Sequence, residues 1–252
     1  MDDRSIADGA LRGLRILVTG GTSGLGRALV RHLRMRGARV AFVARTPERV
    51  EQVAAEEPGT LGIVGDVADK DAIHGLALQA LGWRGGIDVL VNNASSLGPV
   101  PLAPLADTPC EAFEAALAAN VLGPFRLTKA LLGALAASSR EGRGAVVVNV
   151  SSDAAINAYA NWGAYGASKA ALRQMTRIFD EELRALGVRF LSIDPGDMDT
   201  PLHALAMPDA DPRDLCAPAD AARTIVDAII EALPAREHSR SVNRADAAEA
   251  IR

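Results

Sequence analysis

The sequence predicts an α/β protein with a doubly wound, mostly parallel, Rossmann-like sheet in one domain, and two observations support this prediction. Short β-branched runs alternate with longer segments of helical apolar period along most of the chain. The strand-like runs are apolar at nearly every position, which is typical of strands that helices cover on both faces. Parallel neighbours need a crossover connection, and the helical segments supply it.

Six runs are predicted as strands and five segments as helices. The strands are Leu14–Thr19, Arg39–Ala44, Leu61–Val64, Ile87–Val91, Ala145–Val150 and Val188–Ile193. The helices lie near residues 24–36, 69–81, 108–136, 163–185 and 217–233. No internal repeat or Ser/Gly/Pro linker marks a second domain, so we expect residues 1–252 to form one domain. Residues 1–13 and roughly 234–252 are expected to be flexible or atypical ends, the second with a short last strand plus a tail.

Composition excludes several function classes. The 252 residues carry 27 basic and 31 acidic side chains, a net charge of -4, which argues against a basic surface for nucleic acid. The acidic start is unlike a secretory signal, and no apolar stretch approaches the ~18 residues of a membrane span, so we expect a cytoplasmic protein without a membrane partner. Cys110 and Cys216 lack C-x-x-C spacing, which predicts two small buried residues rather than a disulfide framework or a zinc site.

A glycine-rich turn separates the first predicted strand from the first predicted helix. It reads Thr19-Gly20-Gly21-Thr22-Ser23-Gly24-Leu25-Gly26. Glycines in this pattern permit a tight turn and a close approach of backbone to ligand, so that N–H groups and the positive helix end face a diphosphate. A glycine turn can also be structural, but its position favours a dinucleotide site.

The second predicted strand ends with Arg45 and Thr46 close behind it, about twenty residues past the glycines. A carboxylate here would accept a hydrogen bond from the ribose 2′-hydroxyl of NAD, whereas a guanidinium matches a 2′-phosphate. The sequence offers an arginine and no acid, which predicts a preference for NADP over NAD. The alternative is a solvated surface arginine.

Tyr165 and Lys169 lie four residues apart in a predicted helix, so both side chains project from one face. The chain has only two tyrosines and three lysines, and the other tyrosine, Tyr159, has Gly163 at the equivalent spacing. Chance alone therefore rarely produces a Tyr/Lys pair at this spacing, which makes the pair a candidate functional unit. A structural surface pair is the alternative.

Together with further motifs, this pattern resembles the classical short-chain dehydrogenases/reductases over about residues 14–233. The motifs are the glycine pattern at 19–26, Asp66-Val67, Asn92-Asn93-Ala94, Asn120, Ser151-Ser152, Tyr165-Gly166-Ala167-Ser168-Lys169, and Pro195-Gly196 with Thr200. Tyr165 lies thirteen residues beyond Ser152, the spacing that the family uses, so Ser152 is the serine that we carry over.

The resemblance implies an oxidoreductase that transfers hydride between NADP(H) and a carbonyl compound or secondary alcohol, with no metal and with NAD as the other candidate cofactor. Tyr165 would be the acid/base, and Ser152 would polarise the substrate oxygen. Lys169 would hold the nicotinamide ribose and, with the oxidised nicotinamide, help lower the pKa of Tyr165. Bringing a phenol from ~10 to ~7 takes about 4 kcal/mol of preferential phenolate stabilisation.

The resemblance also assigns the cofactor contacts and an assembly. The contacts would come from Gly20, Thr22, Ser23, Gly24, Leu25, Gly26, Arg45, Thr46, Asp66, Val67, Asn93, Ala94, Tyr165, Lys169, Pro195, Gly196 and Thr200. Family members are usually homodimers or homotetramers.

Asn120 precedes Pro124 by four residues within a predicted helix. Proline has no N–H, so the Asn120 carbonyl loses its helical donor and the helix should kink. In the family, the matching asparagine anchors a water linked to the active-site lysine, and we hypothesise that Pro124 keeps the Asn120 carbonyl free for that water. A simple kink is the alternative.

The chain departs from the family pattern at Ser95, where glycine is usual, and at Asp194, where asparagine is common. Three loops after strands are expected to line a substrate pocket, because ligands bind beyond the carboxyl ends of parallel strands: Leu97–Pro101, Asp153–Ala164 and Met198–Pro212. Within them Leu97, Trp162, Met198 and Leu202 favour a partly apolar substrate, although each could be core or rim.

His203 is expected to be a lid residue or a solvated one, and residues 206–218 resemble a mobile lid. Two other functions stay open. One is a redox-inactive nucleotide-binding sensor or scaffold, and the other is a sugar epimerase of the extended relatives.

Overall fold

The computed structural model describes residues 9–234, which form one parallel sheet with helices on both faces. The strands are β1 Arg15–Thr19, β2 Arg39–Ala44, β3 Leu61–Val64, β4 Val89–Asn92, β5 Ala145–Val150 and β6 Val188–Ile193. The helices are α1 Gly24–Met35, α2 Pro47–Glu56, α3 Ile73–Arg84, α4 Cys110–Leu117, α5 Gly123–Arg140, α6 Gly163–Leu183, α7 Pro201–Ala206 and α8 Pro218–Ala232. The fold class is therefore confirmed.

The strand order is β3-β2-β1-β4-β5-β6, and every neighbouring pair is parallel. Val18 of β1 lies opposite Phe42 of β2 on one side and opposite Val91 of β4 on the other. The chain winds outward in both directions from the β1/β4 pair, which leaves a crevice at the carboxyl ends of these two strands. The candidate site lies at this edge of the sheet.

The core consists of two apolar layers, one on each face of the sheet. Ile16 and Val18 point into the first layer, where α1 and α8 pack, and Leu17 points into the second, where α3 and α5 pack. Every strand except β3 contributes residues to both layers, whereas Leu61 and Ile63 of β3 belong to the second layer alone. Burial on both faces explains why the strands lack a polar alternation.

Two predicted segments differ from the structure. Helix α2 was not predicted; it is short and buries only Val50 and Val53. The segment 108–136, predicted as one helix, is divided into α4, a wider π-helical turn at Ala118–Leu122, and α5. Pro124 provides the physical reason for the expected distortion, since it cannot donate to the Asn120 carbonyl.

The predictions for the two cysteines and for the C-terminal residues have different outcomes. Cys110 and Cys216 are exposed, so the prediction that they are buried is wrong. Both lie beside a proline-containing loop rather than in a strand or a buried helix face, and small size alone did not bury them. The short last strand predicted after residue 233 falls almost wholly outside the described residues. Within residues 9–234 no helix has the combined length and hydropathy of a bilayer span.

Candidate active site

The glycine turn joins β1 to α1 through backbone conformations that favour glycine. Gly20 and Gly24 have φ values of 71° and 49°, in the left-handed region. A Cβ on Gly26 would lie 2.0 Å from the carbonyl oxygen of Gly20 and 2.5 Å from Asn93 Nδ2. No side chain fits there, so the turn stays close to the end of β4 and α1 begins directly over it.

Thr19 joins β1 to the segment after β4. Its buried hydroxyl accepts hydrogen bonds from the backbone N–H groups of Asn93 and Ala94, both at 3.0 Å. The Asn93 side chain donates in return to the Thr19 carbonyl at 2.9 Å. These bonds hold the predicted contacts Asn93 and Ala94 next to the glycine turn. Thr19 was predicted as the strand end that opens the glycine turn, but its hydrogen bonds to the Asn93 segment were not predicted.

A cavity of about 320 Å³ lies between the glycine turn and α2. Its lining consists of Thr22, Ser23, Gly24, Arg27, Arg49, Gln52, Val53 and Pro201. Arg45 is exposed just before α2, and Thr46 is the residue that precedes the first turn of this helix. Backbone N–H groups, hydroxyls and guanidinium groups are the donors that phosphate accepts, so these residues fit a phosphorylated ribose. Arg27 and Arg49 were not predicted.

The segment after β6 closes on the glycine turn from the other side. A Cβ on Gly24 would meet Thr200 Cγ2 at 3.1 Å, so two predicted cofactor residues from distant parts of the chain are in contact. Thr200 also begins α7 by accepting a hydrogen bond from the His203 N–H at 3.2 Å. Gly196 has a φ of 74° and donates its N–H to Asp194.

The predicted contacts after β3 lie at the same edge of the sheet. Asp66 accepts a hydrogen bond from the Ala68 N–H at 2.9 Å, which shapes the turn that follows β3. Val67 is buried, and its carbonyl lies 2.8 Å from where a Cβ on Gly123 would stand. The first turn of α5 therefore packs directly against this segment.

Tyr165 and Lys169 lie in the first two turns of α6 and are buried, with exposed fractions of 8% and 2%. The ammonium of Lys169 lies 5.4 Å from the centroid of the Tyr165 ring. It donates to the carbonyl of Val150, the last residue of β5, at 2.8 Å. The pair is therefore not a surface pair, and it lies at the carboxyl end of the sheet.

Burial controls the ionisation of both groups. It lowers the pKa of Lys169 to about 8, against the opposing charge of Asp194. It also raises the pKa of Tyr165 to about 12, and the Ser152 hydroxyl is the first group to oppose it. We expected a lowered phenol pKa, and the chain's own groups produce the opposite direction because desolvation penalises the phenolate.

Ser152 precedes a short turn at Asp153–Ala155. Its oxygen accepts a hydrogen bond from the Ala154 N–H at 3.2 Å, and its hydroxyl donates to Asp153 Oδ1 at 3.1 Å. The other carboxylate oxygen of Asp153 accepts from the Tyr159 hydroxyl at 2.6 Å. Sequence reasoning did not single out Asp153, although a carboxylate directly after the candidate serine was a visible signal.

Asn120 is buried within the π-helical turn and uses its side chain to connect two segments. Its Oδ1 accepts from the Ser96 N–H at 2.8 Å and from the Ser95 hydroxyl at 3.2 Å. Its Nδ2 donates to the Ser96 carbonyl and to the Ser168 hydroxyl, both at 2.7 Å. The side chain thus ties the loop after β4 to α6. The proposed role of the Asn120 carbonyl stays a prediction.

A second amide network supports the strand ends. Asn92 donates to Asn149 Oδ1 at 2.8 Å, and Asn149 donates to the Thr176 hydroxyl at 2.8 Å. The Thr176 hydroxyl donates a hydrogen bond to the Leu172 carbonyl at 2.7 Å. All three polar side chains are buried and satisfied, so β4, β5 and α6 are fixed relative to one another.

Apolar residues form a small cluster over Tyr165. Leu97, Trp162 and Leu202 pack there, and the Trp162 ring meets the Tyr165 ring edge to face at 5.7 Å between centroids. Met198 instead packs against the main core, which resolves its two alternatives in favour of core. The cluster supports a partly apolar pocket beside the phenol.

The loop Met198–Pro212 contains helix α7. Main-chain hydrogen bonds from Cys216 to Asp197 at 2.9 Å and from Asp199 to Cys216 at 3.1 Å join the residues just before α7 to Cys216. His203 is mostly covered, and its imidazole lies 3.9 Å from Asp197. The segment 206–218, expected as a lid, is therefore attached to the residues before α7 at Cys216.

A doubly wound sheet with a glycine turn at its switch point and a buried Tyr–Lys pair beside it defines a nucleotide-dependent oxidoreductase. The family model described as short chain dehydrogenase matches residues 15–210, and the chain belongs to the short-chain dehydrogenase/reductase family.

Three similar proteins illustrate the relationship. The L-xylulose reductase of Bos taurus is 33% identical over 199 residues, which cover 79% of this chain and 78% of that protein. A short-chain dehydrogenase of Escherichia coli CFT073 solved with NADPH is 29% identical, with a TM-score of 0.80 over 88% of this chain and 91% of that chain. The 3-ketoacyl-(acyl-carrier-protein) reductase of Brucella melitensis solved with NADH is 27% identical, with a TM-score of 0.80 over 86% and 90%.

Proposed function

We propose that the protein is an NADP-preferring carbonyl reductase or alcohol dehydrogenase in which Tyr165 transfers the proton. The observation that carries the proposal is the buried pair of Tyr165 and Lys169, 5.4 Å from ring centroid to ammonium, beside Ser152 and the glycine turn. A binding protein would need neither a buried phenol nor a serine hydroxyl at this edge.

Several residues would hold the cofactor, whose nicotinamide supplies or accepts the hydride when it is bound. The N–H groups of the glycine turn and the start of α1 suit the diphosphate. Lys169 would donate to the nicotinamide ribose, and Asn93 and Ala94 would form the floor of the site. Lys169 is buried, so the low polarity around its ammonium would strengthen that interaction.

Tyr165 would act as the acid in carbonyl reduction. A phenol with a pKa of about 12 is protonated at neutral pH, so it can give its proton to the carbonyl oxygen as the carbonyl carbon receives hydride. Ser152 would donate to the same oxygen and polarise the carbonyl. The phenolate formed in this step is next to the Lys169 ammonium and regains a proton from solvent. In the reverse direction the phenolate removes the proton of the alcohol.

The decisive experiment combines a carbonyl and alcohol screen with Tyr165→Phe. The wild type should oxidise NADPH with a partly apolar ketone or aldehyde, and Tyr165→Phe should lose about 10³-fold in turnover because the proton donor is gone. Cofactor affinity, measured by fluorescence titration of NADPH, should stay within a factor of two or so, because the ring remains. Binding without any wild-type turnover would instead favour a sensor or scaffold.

The preference for NADP rests on Arg45 and Thr46. The similar structures hold NADPH in one case and NADH in the other, so the relatives allow either cofactor. Arg45→Asp should weaken binding of 2′,5′-ADP about 30-fold relative to AMP, since a guanidinium–phosphate pair is worth about 2 kcal/mol. Arg39→Asp, at the opposite end of β2, controls for net charge. An unchanged ratio in Arg45→Asp would reject the assignment.

We also propose a cytoplasmic protein, on the acidic, polar character of its first residues, and assembly as a homodimer or homotetramer by analogy with the family. Light scattering of the purified chain measures the assembly directly. A sugar epimerase would instead give turnover without net consumption of NADPH.

A further inference from the structure

Asp153 lies between the candidate catalytic serine and the second tyrosine of the chain. Its Oδ1 accepts from the Ser152 hydroxyl at 3.1 Å and its Oδ2 accepts from the Tyr159 hydroxyl at 2.6 Å. The Tyr159 hydrogen bond is the largest of several that hold the pKa of Asp153 below its usual range. The carboxylate is therefore ionised at neutral pH, and each of its oxygens accepts a hydrogen bond.

Two acceptors compete for the only proton of the Ser152 hydroxyl. The Ser152 oxygen accepts from the Ala154 N–H at 3.2 Å, and its hydroxyl donates to Asp153 Oδ1 at 3.1 Å while also lying within hydrogen-bond reach of the Tyr165 phenol. A serine that polarises a carbonyl has to direct that proton to the substrate oxygen instead. Asp153 thus competes with the substrate for the Ser152 proton and fixes the position of the hydroxyl before substrate binds.

The charge of Asp153 also acts on Tyr165. Two carboxylates face this phenol, Asp194 from the segment after β6 and Asp153 from the segment after β5, and both act to raise its pKa. Within α6 the cation of Lys169 lies over the ring. The hydrogen bonds of the Ser152 and Ser95 hydroxyls act to lower the pKa of Tyr165.

Other titratable groups face Tyr159 rather than Tyr165. The charges of Asp153 and Asp197 both raise the pKa of Tyr159, with the hydrogen bond to Asp153 as the largest cause. His203 of α7 lies 3.9 Å from Asp197. Asp197 is therefore a nearby exposed carboxylate without the hydrogen bond to Ser152, which makes it a matched control.

We propose that Asp153, anchored by Tyr159, is a positioning residue that orients the Ser152 hydroxyl and holds a fixed negative charge next to it, so that the site favours carbonyl reduction at neutral and alkaline pH. The proposal rests on the proposed function of Tyr165 as the acid/base. It assigns roles to two residues outside the Ser152–Tyr165–Lys169 set.

The kinetic test uses Asp153→Asn, which keeps an acceptor oxygen and removes the charge. The alkaline limb of the pH profile for carbonyl reduction and the rising limb for alcohol oxidation should both move to lower pH by roughly half a unit, the size expected for a solvent-screened charge nearby. Asp153→Glu, which restores the charge, should return both limbs toward the wild-type position. A role that is merely structural would lower kcat without moving either limb.

Two further variants separate the charge from its anchor. Tyr159→Phe keeps the Asp153 charge, so it should move the limbs of the pH profiles less than Asp153→Asn does. It should also raise KM for the substrate, because the Asp153 carboxylate loses the hydrogen bond from the Tyr159 hydroxyl. Asp197→Asn should leave both limbs in place. Equal shifts in Asp197→Asn and Asp153→Asn would overturn the proposal, since net charge alone would then explain them.

A titration without turnover distinguishes this proposal from the proposed function. The chain has two tyrosines, so in Tyr159→Phe the tyrosinate absorbance reports Tyr165 alone. At an alkaline pH where circular dichroism shows both proteins folded, Tyr159→Phe/Asp153→Asn should contain about three times more tyrosinate than Tyr159→Phe, the ratio that half a pKa unit gives. An equal tyrosinate content overturns the role of Asp153 even in an active enzyme. A higher content in a protein without turnover would reject the proposed function and keep the effect of Asp153 on the phenol.

Discussion

The two ends of the central strands each bury a charged side chain, but they surround it differently. At the amino end of β4, the fully buried carboxylate of Asp88 accepts hydrogen bonds from the Arg15 guanidinium at 2.5 and 3.1 Å and from the Ser138 hydroxyl at 2.6 Å. At the carboxyl end of β5, the Lys169 ammonium donates to the Val150 carbonyl at 2.8 Å, and no carboxylate forms an ion pair with it within residues 9–234.

The difference separates a charge that stabilises the fold from one that is available for chemistry. Burial alone would raise the pKa of Asp88, but the hydrogen bonds from Arg15 and Ser138 outweigh it and hold that pKa below its usual range. For Lys169 burial prevails and the pKa falls to about 8. A compensated carboxylate is locked in its ionised form, whereas the lysine is close to giving up its proton.

The largest effect is expected from Lys169→Met, which removes the cation of the candidate site. Turnover should fall by about 10²-fold or more, because the phenolate formed at Tyr165 loses its neighbouring positive charge. The free energy of unfolding at pH 7 should stay equal or increase, since methionine needs no partner in a buried position. Steady-state kinetics and urea unfolding measure the two quantities. A strongly destabilised Lys169→Met would contradict the comparison.

Asp88→Ala should show the opposite pattern. It leaves the Arg15 guanidinium and the Ser138 hydroxyl without their shared acceptor, and breaking a buried pair costs about 3–5 kcal/mol. Urea unfolding should detect this loss, while kcat of the remaining folded protein stays near the wild-type value. A large loss of kcat at unchanged stability would show that the two ends are not separate.

Asp88 and Lys169 should contribute differently to the pH dependence of the free energy of unfolding. The pKa of Asp88 is depressed in the folded chain, so its stabilisation is present above about pH 4 and disappears as pH falls through the folded value. The pKa of Lys169 falls from 10.5 to about 8, so the unfolded chain holds an extra proton between these values and stability rises with pH across that window. In Lys169→Met the free energy of unfolding should not increase between pH 8 and pH 10, because the titrating group is absent.

The smallest effect is expected from Thr176→Val. The variant leaves the Asn149 amide without its acceptor at the functional end, where the wild-type network is complete. The free energy of unfolding should fall by about 1–2 kcal/mol, the cost of one buried unsatisfied donor. Thr108→Val, at an exposed turn, serves as the control and should change stability by less than about 0.5 kcal/mol.

Much of the fold was readable in the sequence, because buried parallel strands are marked by their own composition, whereas the buried pair of Asp88 and Arg15 was not predicted. The bounds predicted for β2, β3, β5 and β6 agree with the structure, whereas α2 was missed since it buries only Val50 and Val53. The prediction for the cysteines was wrong because burial depends on position, and both lie in exposed segments.

Part of the site was predictable from spacing within one element and from motifs shared with the family. The four-residue interval placed Tyr165 and Lys169 on one helix face, and the structure bears out this geometry. The hydrogen bonds of Thr19 to the Asn93 segment, and of Asp153 to Tyr159, could not be predicted, since they depend on how separate loops fold together. The direction of the Tyr165 pKa depends on burial, which no spacing reveals.

The main-chain clamp between Cys216 and residues 197 and 199 bears on how such an enzyme could change its substrate. Because both ends of the intervening stretch are tied together by backbone atoms, its interior can be lengthened, shortened or exchanged without pulling on β6 or α8. Grafting the equivalent stretch from a relative is therefore a direct route to new specificity on an unaltered scaffold.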